Sequence, residues 1–258
     1  MKRIQPHITC GDGDIAKYVF LPGDPKRSER IAKHFEEYRK VADYRQYVSF
    51  TGTASGIPLS VTSTGIGVPG LAIAVAELAR IWAETFIRIG TTGTPQDNIA
   101  IGDLIIPYAA VRWDGSTQLF APPEYPAVAT PQVFSALVEA AKKMRVRFHT
   151  GIVLTAGAIY TQDGIPQAEP DWKKARVVSY EMECSGLFVY CSLNGLLSGA
   201  ILAVDGNPKE GYRFRPMEPG EKIGEFDDRV QRAIDSEIDV AIEAVKILEK
   251  TKASKGVQ

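Results

Sequence analysis

The feature that most constrains the fold is the alternation, along the whole chain, of short apolar runs with longer amphipathic ones. Tyr18–Leu21 (YVFL) is typical of a buried strand, and a helical segment follows it to about Phe35. Tyr47–Thr53 and Ile57–Ser63 are strand-like and flank Ser55-Gly56, a pattern that predicts a hairpin. Strands that alternate with helices predict an α/β fold, and the hairpin makes its central sheet mixed instead of wholly parallel.

The rest of the chain continues this alternation without an internal repeat or a linker. The further predicted strands are Thr85–Ile89, Leu104–Val111, Gly151–Ala156, Val177–Tyr180 and Gly199–Val204. The further predicted helices are Leu71–Ala83, Pro131–Met144, an apolar segment after Glu183, and Glu221–Lys250. We therefore predict a single domain spanning residues 1–258, with a frayed tail at about residues 251–258. Its expected architecture is α/β, a three-layer sandwich around a mixed central β-sheet flanked by helices.

Charge and composition argue against several classes of protein. Thirty Lys and Arg side chains against 31 Asp and Glu give a formal net charge of -1, which argues against a nucleic-acid-coating protein. No apolar stretch approaches the roughly 18 residues of a membrane span, and the first residues lack the apolar segment of a signal peptide. We therefore expect a cytoplasmic protein without a membrane partner. The three cysteines form no CxxC pair and the three histidines have no metal-ligand spacing, so we predict no metal site.

Ligands of α/β folds bind beyond the carboxyl ends of strands, where this chain has two glycine-containing loops. Gly23–Arg27 joins a strand to a helix, so it is either a phosphate cradle with Arg27 as a charged fork or an ordinary turn. Gly65–Gly70 fits G-x-G-x-x-G, the spacing of dinucleotide-binding loops. However, Glu84 precedes the next strand instead of following it, and Pro69 removes a helix N–H, which argues against nicotinamide binding.

Two further strand ends carry charged residues. Arg88 lies inside an apolar strand and precedes a run of small residues, and a buried arginine is costly unless it meets an anion, which predicts phosphate. Glu181 and Glu183 follow another strand. These carboxylates either accept hydrogen bonds from vicinal sugar hydroxyls or stabilise the start of the next helix by charge. A glycosidase pair is disfavoured, because residues two apart in sequence rarely flank one bond from opposite faces.

Together these motifs resemble the nucleoside phosphorylase family that includes hexameric purine nucleoside phosphorylase and uridine phosphorylase. Residues 63–78 (STGIGVPGLAIAVAEL) are similar to the family signature with one departure, Gly70 in place of the usual serine. GDPKR, RIGTTG and YEMECSG are similar to further family motifs, in the family's order. The resemblance spans about residues 5–250 and implies reversible phosphorolysis of nucleosides to free base and ribose 1-phosphate. It implies no cofactor, with inorganic phosphate as a co-substrate.

The resemblance also implies a role for each residue of the site. Phosphate would contact Gly23, Arg27, Arg45, Arg88 and Thr91. Ribose would contact His7, Glu181, Met182 and Glu183. The base would lie near Thr92, Gly93, Tyr160, Gln162, Tyr180 and Asp205. Arg45 and His7 would come from a neighbouring subunit, which implies a homo-oligomer, a hexamer built from dimers with shared active sites.

Asp205, which follows an apolar strand, is the predicted catalytic acid, and Arg88 and Glu183 are the other predicted catalytic residues. A purine accepts a proton at N7 as it leaves, and the purine branch of the family has an aspartate in the matching loop. Uridine phosphorylases use a Gln and an Arg two positions apart after the aromatic that Tyr160 resembles, whereas residues 160–167 (YTQDGIPQ) contain no arginine. We therefore predict purine ribonucleosides as substrates, with uridine as the alternative. The remaining hypotheses are a nucleosidase that uses water and a non-catalytic nucleoside-binding protein. Arg27, Arg45 and Arg88 argue against the nucleosidase.

Overall fold

A computed structural model describes residues 4–160, 170–211 and 227–255 of the chain. The strands in these residues are β1 Tyr18–Leu21, β2 Glu37–Tyr44, β3 Tyr47–Ala54, β4 Ile57–Thr62, β5 Thr85–Gly93, β6 Leu104–Trp113, β7 Ala127–Val128, β8 Phe148–Ala156, β9 Ser179–Glu181 and β10 Leu197–Gly206. The α-helices in these residues are α1 Pro25–Ala32, α2 Val68–Arg80, α3 Pro131–Lys143, α4 Cys184–Leu193 and α5 Asp228–Lys255. None of the helices in this part of the chain combines the length and the apolar character that a membrane span requires.

The strands form one mixed sheet in the order β10-β6-β8-β9-β5-β1-β4-β3-β2, with β7 added beside β6. β5 is central and runs parallel to β1 on one side and to β10 on the other. The pairings of β5 with β10, β10 with β6, β6 with β8, β8 with β9 and β9 with β5 close five strands into a ring. The carboxyl end of β5 therefore lies between the ends of β10 and β9, where a ligand of an α/β fold is expected.

Helices cover both faces of this sheet. Ile87 and Ile89 of β5 pack into one core with residues of α1, α3 and α5, whereas Phe86 packs into a second core with residues of α2 and α4. Successive side chains of a strand point to opposite faces, so a central strand between two helical layers is apolar on both sides. The predicted three-layer sandwich around a mixed sheet is confirmed.

The structure differs from the predicted elements mainly at the edges. The hairpin of β3 and β4 is confirmed, and its turn residues Ser55 and Gly56 have φ values of 54° and 72°. β2 was not predicted, because its sequence EYRKVADY is mostly polar; it is the edge strand and pairs only with β3 among the described residues. α5 continues to Lys255, beyond the predicted end at Lys250, while the predicted start at Glu221 lies outside the described residues.

Candidate active site

Arg88 lies at the centre of the candidate site, on β5 between β1 and β10. Its side chain is 6% exposed; Nε donates to Glu181 at 3.1 Å, and Nη2 forms an ion pair with Glu183. Gly90 lets the guanidinium fold back along the strand, since a Cβ at this position would lie 3.0 Å from Nη2. Nη1 is buried without a hydrogen-bond partner among the described residues. A buried donor of a charged group is costly to leave unpaired, so this atom points to an anion site.

Glu181 stands at the end of β9 and holds the surrounding backbone. Its Oε1 accepts a hydrogen bond from Oγ1 of Thr155 at 2.6 Å, and its Oε2 accepts one from the backbone N–H of Glu183 at 2.7 Å. The backbone N–H of Cys184, the first residue of α4, lies 2.9 Å from both oxygens. With the bond from Arg88, the carboxylate of Glu181 is occupied within the protein. This arrangement matches the predicted alternative in which the carboxylate stabilises the start of the following helix by its charge.

Glu183 has more of its bonding capacity left. One of its oxygens accepts the backbone N–H of Gly67, and the other accepts from Arg88. The backbone N–H of Met182 also favours the ionised form. A carboxylate offers about four acceptor positions, so capacity remains for a ligand such as a sugar hydroxyl. Met182, between the two glutamates, is half-buried. Of the two acids, Glu183 is therefore the one whose geometry suits a sugar.

The two carboxylates and Arg88 form a buried charge cluster. Burial lowers the pKa of Arg88, but the charges of Glu183 and Glu181 outweigh this effect and raise it above its ordinary value. Burial also raises the pKa of Glu183, and Arg88 opposes that shift. The arginine therefore stays charged and compensates part of the negative charge of the two acids.

The two glycine-containing loops lie against each other beside this cluster. The backbone N–H of Gly65 donates to the carbonyl of Gly23 at 3.0 Å, and a Cβ on Gly23 would lie 3.1 Å from the Gly65 oxygen. Gly65 and Gly67 have φ values of 73° and 91°, which favour glycine. Arg27, in the first turn of α1, is partly buried: burial lowers its pKa, Glu237 opposes the shift and the nearby charge of Arg88 adds to it. Two arginines held close together favour an anion between them.

Asp205 lies at an irregularity of β10, directly beside the predicted base-binding segment. Val204 pairs with Thr92 and Gly206 pairs with Gly93, so Asp205 is an extra residue between two consecutive pairs. Such a bulge re-aims a side chain, and it leaves Asp205 half-buried at the end of the strand. On the other side of β5, Oγ1 of Thr92 donates to the carbonyl of Tyr180 at 2.7 Å, and Gly93 pairs with Tyr180. Thr91 pairs with Ala203 one step earlier and is partly buried.

The structure does not bring every predicted residue to this place. His7 is bound to Glu77 of α2: its Nδ1 lies 2.6 Å from the carboxylate, which also accepts the backbone N–H of His7 at 3.0 Å. Arg45 sits in the β2–β3 turn with φ 56° and stacks on the ring of Tyr44. Among the described residues no hydrogen bond or ion pair joins His7 or Arg45 to Arg88, Glu183 or Asp205. Tyr160 is 77% exposed, and Gln162 lies outside the described residues.

A model of the phosphorylase superfamily matches residues 17–245. The chain belongs to this superfamily. It is 42% identical to the uridine phosphorylase of Thermococcus kodakarensis over 98% of this chain and 92% of the relative. It is 35% identical to the guanosine phosphorylase of Halorubrum lacusprofundi over 89% of this chain and 95% of the relative. Its fold is similar to the crystal structure of purine nucleoside phosphorylase from Toxoplasma gondii in complex with immucillin-H (TM-score 0.85, 31% identity, covering 97% of this chain and 98% of that one).

With these relatives, the chain belongs to the nucleoside phosphorylase family, as the motifs predicted. The part of the chain that the structure describes contains no group of three or more His, Cys, Asp or Glu side chains that could hold a metal ion.

One residue near the site of this phosphorylase was missed by the sequence analysis. Glu237 of α5 is 0% exposed, and neither of its carboxyl oxygens has a well-formed hydrogen bond among the described residues. Burial raises the pKa of Glu237 well above its ordinary value, while the charges of Arg27 and Arg88 oppose the shift. A signal was present in the sequence, because Ile234, Glu237, Ile238 and Ala241 have the spacing of one helical face and only Glu237 is charged.

Proposed function

We propose that this nucleoside phosphorylase acts on purine ribonucleosides, releasing the free base and forming ribose 1-phosphate. The observation that carries the purine assignment is the position of Asp205, an extra residue of β10 beside Thr92 and Gly93. As proposed, the reaction uses no cofactor, and inorganic phosphate enters as a co-substrate.

Phosphate is assigned to the space beside Arg27 and Arg88. The unpaired, buried Nη1 of Arg88 supports this assignment, and so does the closeness of two arginine charges. Gly23, against the Gly65 loop, and Thr91, at the end of β5, complete the set within one chain. Holding the anion against the anomeric carbon converts a bimolecular attack into an almost unimolecular one, which supplies several kcal/mol of the barrier reduction.

The sugar is assigned to Glu183 and Met182. The remaining acceptor positions of Glu183 would bind the ribose hydroxyls, and its negative charge would stabilise the oxocarbenium character that develops at the anomeric carbon. Glu181 lies beside them and acts on the sugar through Glu183, since its own oxygens are occupied.

The leaving base is assigned to Thr92, Gly93, Tyr180 and the exposed Tyr160. A phosphate oxygen forms the new bond to the anomeric carbon while the bond from that carbon to N9 breaks, and the electron pair moves into the purine. Asp205 donates the proton that N7 takes up, so that the base leaves neutral. The aspartate recovers its proton from solvent before the next turnover.

His7 and Arg45 are assigned to the site of a neighbouring subunit. Both lie on the surface of the chain, and neither contacts Arg88, Glu183 or Asp205 among the described residues. We propose a homo-oligomer, a hexamer of dimers with shared sites, in which His7 would contact ribose and Arg45 phosphate.

Uridine is the second candidate substrate, because the Thermococcus relative at 42% identity and a Treponema pallidum relative at 39% identity carry the name uridine phosphorylase. The deciding experiment measures base release from inosine, guanosine, adenosine and uridine, each with and without phosphate. Phosphate-dependent release from the purine nucleosides supports the proposal, and release from uridine alone supports the second candidate. Release without phosphate would indicate a nucleosidase.

The variant Asp205→Asn tests the acid itself. Loss of the proton donor is expected to lower kcat for inosine by about 100-fold or more, with a smaller change in the phosphate KM. Glu210→Gln, in the turn that follows β10, is the control because it removes one carboxylate at an exposed position. Equal kcat values for the wild type and Asp205→Asn would contradict the assignment.

A further inference from the structure

Glu237 takes no part in the proposed phosphorolysis, although it is completely buried and interacts with the charges of Arg27 and Arg88. α5 packs on β10 and β5 with its apolar face, and Glu237 enters that face between Ile234 and Ile238. A buried carboxyl group is costly, and one whose oxygens lack hydrogen bonds is more so. An interaction with nearby charges is therefore needed to offset the cost of burying Glu237.

The groups that face Glu237 are mostly cationic. α1 brings Arg27 and Arg30, β5 brings Arg88, and β10 brings the backbone N–H of Ala203, all of which favour the ionised carboxylate. α3 also packs on α5, but its described ion pair from Lys143 reaches Glu243, almost two turns farther along the helix. Burial acts in the opposite direction and favours the neutral acid.

These opposing effects make the protonation of Glu237 sensitive to any further charge at the arginines. An ionised Glu237 attracts Arg27 and Arg88 and so competes with an anion for them. A bound dianion uses the positive charges of Arg27 and Arg88, after which burial and repulsion favour the neutral carboxyl group against the smaller effects of Ala203 and Arg30. Anion binding and protonation of Glu237 therefore promote each other, as linked equilibria require.

We propose that Glu237 is a positioning residue for phosphate: its buried, unpartnered carboxyl group on α5 interacts with the charges of Arg27 and Arg88 and takes up one proton from solvent when the anion binds. When Glu237 is ionised in the ligand-free protein, its carboxylate compensates the two arginines, and anion binding shifts it towards the neutral acid. The inference rests on the proposed phosphate site. Phosphate affinity is therefore expected to fall as pH rises, by more than the ionisation of phosphate alone accounts for.

Sulfate is the probe that separates protonation of Glu237 from protonation of phosphate itself, because sulfate stays a dianion throughout the accessible range of pH. Titration calorimetry in two buffers of different ionisation enthalpy gives the number of protons taken up per sulfate bound. The wild type is expected to take up protons at mildly alkaline pH. Glu237→Gln, which is neutral at every pH, is expected to lose this uptake.

Affinity gives the second readout. Near about pH 6 the sulfate Kd of Glu237→Gln should equal that of the wild type. Near about pH 9 it should be lower by about tenfold, which corresponds to a shift of about one unit in the pKa of Glu237 on sulfate binding. Glu249→Gln is the control, since it makes the same change on the same helix, 12 residues on, at a side chain that is 42% exposed. Its pH profile should match that of the wild type.

The outcomes distinguish this inference from the proposed function. Sulfate and phosphate binding without proton uptake by the wild type would overturn the role of Glu237 and leave the phosphate site intact, even if Glu237→Gln fails to fold. Parallel pH profiles for the wild type and Glu237→Gln would overturn it as well. Absence of any competition between sulfate and phosphate would instead remove the phosphate site itself.

Discussion

Replacing Glu181 by glutamine tests whether the site is built on this side chain. Glu181 accepts hydrogen bonds from Arg88, Thr155 and the backbone N–H groups of Glu183 and Cys184, and its side chain is 0% exposed. Glutamine keeps the shape but turns one acceptor oxygen into a donor NH₂ that faces other donors. Arg88 keeps Glu183 as a counterion, so the cost comes from the buried donors that lose a charged acceptor. Each such donor costs about 1–3 kcal/mol, and we expect about 3–5 kcal/mol for the set.

The assay is equilibrium unfolding in urea, followed by tryptophan fluorescence. Glu181→Gln should lower the free energy of unfolding by about 3–5 kcal/mol, which a domain with about 5–15 kcal/mol of stability survives. Glu249→Gln should change it by about 1 kcal/mol or less, since its carboxylate is partly exposed and glutamine keeps an oxygen that can accept the hydrogen bond from Tyr18. A loss below about 1 kcal/mol for Glu181→Gln would refute the reasoning, because the hydrogen bonds counted here would then contribute little.

Three further predictions follow from the same geometry. Arg88→Lys keeps the charge, but a lysine cannot reach both carboxylates and the anion. The KM for phosphate should therefore rise about tenfold or more, the equivalent of about 1.4 kcal/mol. An unchanged phosphate saturation curve would remove Arg88 from the site. Gly70→Ser restores the usual residue of the family signature, but its Cβ would lie 2.5 Å from the backbone oxygen of Thr64, so we expect a lower melting temperature and not a higher one. The hydrogen bond to Asp239 raises the pKa of His34 above 6.5, so the stability it adds is fully present below about pH 6.5 and is lost as pH rises through the folded-state pKa. The difference in unfolding free energy between the wild type and His34→Gln should therefore shrink from acidic to alkaline pH, and a constant difference would contradict this.

The sequence predicted most of the fold because local patterns and tertiary packing agree in this chain. Tyr18–Leu21 is a strand with the predicted bounds, and the Ser55-Gly56 turn joins the predicted hairpin. β2 escaped prediction since an exposed edge strand needs no apolar alternation to pair with its neighbour. The closure of β5, β10, β6, β8 and β9 into a ring could not be predicted either, because it depends on pairings between strands far apart in sequence.

The site was predictable only in part, for a related reason. Motifs predicted Arg88, Glu181 and Glu183, which the structure brings into contact, but the different hydrogen bonds of the two glutamates depend on three-dimensional contacts that no spacing encodes. Asp205 was found from its place after a strand, whereas the bulge that re-aims it is a property of two paired strands. Glu237 lies in a helix remote from every motif. Its single charge on an apolar helical face was the available signal.

The charges of the described residues explain why a neighbouring subunit would matter to such a site. Within one chain, Arg27 and Arg88 are matched by Glu181 and Glu183, so the cluster brings little net positive charge to an incoming dianion. A neutral Glu237 adds nothing to this balance, and an ionised one makes it unfavourable. In the proposed assembly the extra positive charge comes from Arg45, which is exposed at the β2–β3 turn. Phosphate affinity would then depend on two separate conditions, the docking of a neighbour and the protonation of Glu237, each of which changes the net charge of the site by one unit.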